Sequence, residues 1–75
     1  MDLNEKALVW LEIFEFLTSS KKQKILQLFD EPKDIFTDFY NYSKELIKIV
    51  NDAQLNNMQQ MLGEKFADSY LKILS

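Results

Sequence analysis

A chain of 75 residues that is 47% hydrophobic and 13% aromatic, with one glycine and one proline, suits one small helical domain and argues against a β fold or disorder. It has no cysteine and no histidine, which removes disulfides, thiolate or imidazole metal sites and the usual proton shuttle near neutral pH. Its net charge is −3 and every cation is lysine, so tight autonomous binding of nucleic acid, for which arginine is the preferred residue, is not expected.

The first helix is expected from Glu5 to Leu17, with Asn4 or Asp2 near its cap. At 100° per residue, Ala7, Val9, Trp10, Leu11, Ile13, Phe14, Phe16 and Leu17 would cover more than half of its circumference, and Glu5, Glu12 and Glu15 the rest. That makes it the central element, packed on several sides within the chain or partly against a partner. The acidic start, Met1 to Glu5, is unlike a secretory signal, and no apolar run is long enough to span a bilayer. The expected compartment is the cytoplasm.

Thr18 to Lys22 is the joint to a second helix, expected from Lys21 to Phe29. Ser20 followed by Gln23 reads as a capping box, a device that contributes about 1 kcal/mol. Ile25, Leu26, Leu28 and Phe29 form the inner face. Asp30-Glu31-Pro32 ends the helix, and Pro32 suits the first position of a third, with Asp34 in its first turn. That short helix should bury Ile35, Phe36 and Phe39. Tyr40 to Tyr42 then reads as a connection, and Ser43 as the cap of a fourth helix containing Leu46, Ile47, Ile49 and Val50.

Asn51 and Asp52 offer the next cap. From Ala53 onward, Leu55, Met58, Leu62, Phe66 and Ile73 share a stripe. One long helix fits this phase. A break at Gly63 is preferred, with Asp68 capping a last helix from Ser69 to Leu74. The whole is an all-α domain of five or six short helices. The chain ends directly after Leu74-Ser75, as a domain cut from a longer protein would.

Candidate chemistry concentrates at the joint. Lys21, Lys22 and Lys24 stand at a helix N-terminus, where the dipole disfavours cations and favours anions. Contact of Ser19, Ser20, Lys21, Lys22 and Lys24 with phosphate would explain that placement; a solvated turn is the plainer reading. Glu12 with Glu15, and Asp30, Glu31 and Asp34 around Pro32, read as solvated or capping charge rather than an acid–base pair. Phe36, Phe39, Tyr40 and Tyr42 read as core, with one or two tyrosines at the surface, and Trp10 as an anchor. No catalytic residue, metal, cofactor or small-molecule ligand is expected.

The succession Trp10-Leu11, Leu17, a tight turn with Lys21-Lys22, then Ile25-Leu26, Leu28-Phe29, Pro32 and Ile35-Phe36 resembles the N-terminal region of bacterial DNA-processing proteins of the DprA/Smf family. The likeness covers most of the chain, at mainly hydrophobic positions. It implies an accessory helical module, similar to sterile-alpha-motif or helix-hairpin-helix folds, joined through a segment like Tyr70 to Leu74 to a Rossmann-like core. The family handles single-stranded DNA and helps load the recombinase RecA in natural transformation. The resemblance therefore implies a non-enzymatic domain with weak contact to single-stranded DNA, or one that docks on its own core or another protein without touching DNA. Turns of helix-hairpin-helix type carry glycines that let backbone N–H groups approach phosphate. Here Thr18-Ser19-Ser20 stands in their place.

Overall fold

The computed structural model describes residues 1–75 and contains helices only. They are α1 (Leu3–Glu12), α2 (Ser19–Leu26), α3 (Asp34–Asp38), α4 (Ser43–Leu46), α5 (Asp52–Gln60) and α6 (Glu64–Leu74). One turn of 3-10 helix, Phe39–Tyr42, joins α3 to α4. The expected class, a small all-α bundle of short helices, is the observed one.

α1 starts on a capping box that begins at Asp2. The Glu5 N–H donates to Asp2 Oδ1 at 2.8 Å, and the Asp2 N–H reaches Glu5 Oε1 at 3.5 Å. Asn4 lies inside the helix and does other work: its Oδ1 accepts the Lys33 N–H at 2.9 Å, tying α1 to the start of α3. α1 ends at Glu12 rather than the expected Leu17. Beyond it the N–H groups of Ile13, Phe14 and Leu17 donate to carbonyls three residues back, at 3.1, 3.4 and 3.1 Å. The run Ile13-Phe14-Glu15-Phe16 holds β-branched and aromatic residues, which are indifferent helix formers. Trp10, Leu11, Phe14 and Leu17, which a regular helix would hold within an arc of about 120°, all belong to the core in the looser turns as well.

Thr18, not Ser20, caps α2. Its Oγ1 accepts the Lys21 N–H at 3.2 Å, so Ser19 and Ser20 occupy the first turn and Gln23 makes no return bond. α2 buries Ile25 and ends at Leu26; Phe29, in the following turn, joins the core. Pro32 sits in the turn before α3 rather than at its first position, and Asp34 accepts the Glu31 N–H at 3.1 Å. Ser43 opens α4 without capping it; its hydroxyl donates to the Tyr40 carbonyl at 2.8 Å. The fourth helix is one turn long, because Ile47, Ile49 and Val50 crowd a helical backbone. Leu46 and Val50 still reach the core, while Ile47 faces water.

Asn51 caps α5 as expected, within a second capping box with Gln54. The break at Gly63 is also present. Gly63 has φ 147°, a conformation that L side chains rarely adopt; α5 has ended at Gln60, and Gly63 stands at the N-cap of α6. α6 then runs unbroken from Glu64, so Asp68 is an interior residue, not a cap. Glu64 in the first turn suits the dipole, and no glycine or proline follows it. Ile73, expected on the buried stripe, is exposed.

Trp10 is fully buried at the centre. Its ring meets Phe14, Phe36 and Phe39 edge-on, at centroid distances of 4.9, 6.0 and 5.7 Å. Its Nε1–H donates to the Met61 carbonyl at 2.8 Å. Of the apolar residues from Ala7 to Leu17, all but Leu8, which is exposed, are buried or packed on the core. α1 packs most extensively on α6. Lys6 faces Glu64 and Asp68, while Trp10 faces Met61, so the two helices run antiparallel.

The capping assignment is open to measurement. Thr18→Ala should cost about 1 kcal/mol in urea unfolding, and Ser20→Ala about 0.3 kcal/mol or less. The reverse order would restore Ser20 as the cap.

Candidate nucleic-acid interface

The five residues singled out in the sequence all lie on the first turn and a half of α2. Ser19, Ser20 and Lys24 are exposed, whereas Lys21 and Lys22 are half-buried. Ser20, Gln23, Lys24 and Gln27 follow the helical spacing and form a single outward face. From Thr18 to Phe29 the chain carries three lysines and no carboxylate, although the whole protein has 12 carboxylates. α2 therefore presents a locally positive face on an acidic molecule.

The three lysines are not equivalent. Lys22 Nζ lies 2.9 Å from Glu12 Oε1, an ion pair that ties α2 to the end of α1. Lys21 and Lys24 have no carboxylate within ion-pair distance. The structure thus brings the five candidates together and gives one of them a competing partner. Glu12 has no sequence signal marking it for that role, since the pairing depends on how the chain turns between Ile13 and Thr18.

Close backbone approach at this turn is hindered. Thr18 uses its hydroxyl on the Lys21 N–H, and Ser19 and Ser20, both exposed, fill the first turn with side chains where glycines would leave none. The exposed hydroxyls of Ser19 and Ser20 and the ammonium groups of Lys21 and Lys24 are the donors that reach outward.

The remaining constellations resolve into structural roles. Phe39 is fully buried, Phe36 and Tyr42 are half-buried, and Tyr42 packs on Phe29 at 4.8 Å. Tyr40 alone of that cluster stands mostly in water, 61% exposed. Asp34 closes the turn before α3, and Glu31 pairs with Lys33 at 3.5 Å. No group of three acidic, histidine or cysteine side chains has the geometry of a metal site, and the surface has no enclosed pocket. No helix is long and apolar enough to cross a membrane.

A second surface feature escaped the sequence reading. The antiparallel pairing of α1 and α6, at about 1.5 Å of rise per residue, places the last turn of α6 at the same end as Met1 and Leu3. Met1, Leu3, Ile73 and Leu74 are all exposed there, Ile73 the most at 80%. All four lie at the part of the molecule remote from the Glu12–Lys22 pair, since that pair stands at the other end of α1.

Comparison of the chain with known protein families, with curated proteins and with solved structures returns no match.

Lys6 carries the strongest electrostatic signature. Its Nζ sits 2.8 Å from Glu64 Oε1 and 3.1 Å from Asp68 Oδ1. Hydrogen bonding to Glu64, then to Asp68, raises its pKa above the ordinary 10.5. A raised lysine pKa stabilises the fold fully below 10.5 and loses that contribution as pH climbs through the folded value. The difference in urea midpoint between the native chain and Lys6→Met should therefore stay constant from about pH 7 to 9 and shrink as the pH climbs past the ordinary 10.5. A difference that persisted unchanged at that alkaline limit would mean that the lysine acts through its methylene stem alone.

Proposed function

We propose that this chain is a non-catalytic accessory domain of a bacterial DNA-processing protein resembling the DprA/Smf family, acting in the cytoplasm beside single-stranded DNA. The observation that supports a contact role is the carboxylate-free face of α2, with Ser19, Ser20, Lys21 and Lys24 turned to solvent in part or in full. Phosphate oxygens accept hydrogen bonds from hydroxyl and ammonium groups and carry no base identity. The contact is accordingly sequence-independent and weak. It assists a main DNA site on a Rossmann-like core rather than replacing one.

Lys22 contributes least to this contact, because Glu12 already occupies its ammonium. Two free lysines give a salt dependence of about −1.4 in log–log terms on single strands, and recruitment of Lys22 would bring it to about −2.1. Labelled oligothymidylate titrated at low salt should move the backbone amides of residues 18–24, and Lys24→Gln should weaken that response. Amides that stay still at millimolar DNA would remove the phosphate reading.

A second reading rests on a separate observation. The exposed apolar end formed by Met1, Leu3, Ile73 and Leu74 favours docking on another protein surface, with no DNA contact. Under that reading, Ile73→Ser combined with Leu74→Ser shifts light scattering of the concentrated protein toward the monomer mass, while oligothymidylate leaves residues 18–24 unmoved. A native chain that is already a monodisperse monomer at millimolar concentration, alone and mixed with a Rossmann-like core, would count against docking.

A further inference from the structure

α6 is attached to the molecule on one side. Its main neighbour is α1; Ala67, its only fully buried residue, belongs to the central core, and Phe66 packs against that core. The polar side-chain ties from α6 to any other element are two, from Lys6 to Glu64 and to Asp68. Both carboxylates reach water, so these ties resist separation only weakly. Ser69 and Ser75 spend their hydroxyls on carbonyls of α6 itself.

The chain just before α6 is held by a buried hydrogen bond as well as by packing. Leu55 and Met58 of α5 belong to the same core as Ala67. The Met61 carbonyl accepts the Trp10 indole N–H at 2.8 Å. Two residues later stands Gly63, at φ 147°. Its missing side chain leaves the backbone free to take other conformations at little cost. A fixed segment, a glycine and a helix attached through one face together make a hinge.

We propose that α6 is a strap that opens as one unit about Gly63, while the core closed by the Trp10–Met61 bond stays folded. Closed, it covers the face of α1 that carries Ala7 and pairs with Lys6. Open, it bares that face and frees its own apolar edge, Phe66, Ala67 and Leu71. The proposal stands independently of the phosphate contact on α2, which lies near the other end of α1.

Native-state hydrogen exchange on the intact chain in increasing urea tests it. The amides of residues 68–74 should exchange together, through an opening at least about tenfold more frequent than the one that releases Trp10 and Leu11. Its urea dependence should be shallow, because a partial opening exposes little surface. Lys6→Met should speed α6 exchange about two- to fivefold and leave the Trp10 amide unchanged. Equal opening and equal urea dependence for α1 and α6 would overturn the proposal. Exchange that fades gradually from Leu74 inward, with residues 68–70 as slow as Leu11, would overturn it too, since that is fraying and not a hinge.

Discussion

A buried indole must place its one N–H on an acceptor, and in this chain that requirement fixes the geometry of the whole core. Trp10 has no exposed surface, so an unpaired Nε1–H would cost about 1–3 kcal/mol. Its acceptor is the carbonyl of Met61, at the end of α5, where helix geometry leaves carbonyls without intrahelical partners. One bond therefore satisfies two groups that would otherwise be stranded, and joins positions 51 residues apart. The same ring packs edge-on against Phe14, Phe36 and Phe39. A single side chain thus links α1, the turns after it, α3, the 3-10 turn and the end of α5. A domain this small depends on such dense sharing of contacts, because its core has few residues to spare.

That dependence explains where sequence periodicity succeeds and where it fails. The caps at Asp2 and Asn51 are local chemistry within four residues, and both were readable as candidates; the break at Gly63 was readable because only glycine tolerates such a φ. The end of α1 was not readable. Apolar residues continue from Val9 to Leu17 with only Glu12 and Glu15 between them, and no breaker marks Glu12 as the last helical position. Phe14 and Leu17 join Trp10 and Ile25 in the core from turns closed by bonds to carbonyls three residues back. A regular helix would place Phe14 and Leu17 on the same face as Trp10, so the apolar pattern alone does not tell the two apart. The same applies to Asp68. By itself it looks like a cap, whereas its partner Lys6 is 62 positions away and turns it into an interior surface charge on α6.

The candidate interface was legible in part. The lysines and serines of 18–24 are adjacent in the sequence, so their gathering on one helical turn follows from forming any helix there. Which hydroxyl caps and which lysine is free do not follow. Both depend on how residues 13–17 turn, since that loop sets the approach of α2 to the end of α1. Thr18 becomes the cap because α2 begins two residues earlier than the capping-box pattern suggested, and Lys22 meets Glu12 because α1 stops there. The loop that completes the core thus also sorts the basic residues, pairing one and leaving two outward.

α1 therefore carries two kinds of work at its two ends. Its last residue, Glu12, moderates the positive face of α2, while Lys6 and the buried stripe near it hold α6. Between them sits Trp10, fully buried, bonded to the Met61 carbonyl and packed on Phe14, Phe36 and Phe39. A change at one end reaches the other only by disturbing that indole, and packed interiors resist small displacements. The Met61 carbonyl that holds the indole precedes Gly63 in the chain. On α2, Ile25 is buried while Ser20 and Lys24 are exposed. The two surfaces are accordingly independent parts mounted on one core, and any coupling between them must come from a partner that spans both ends of α1.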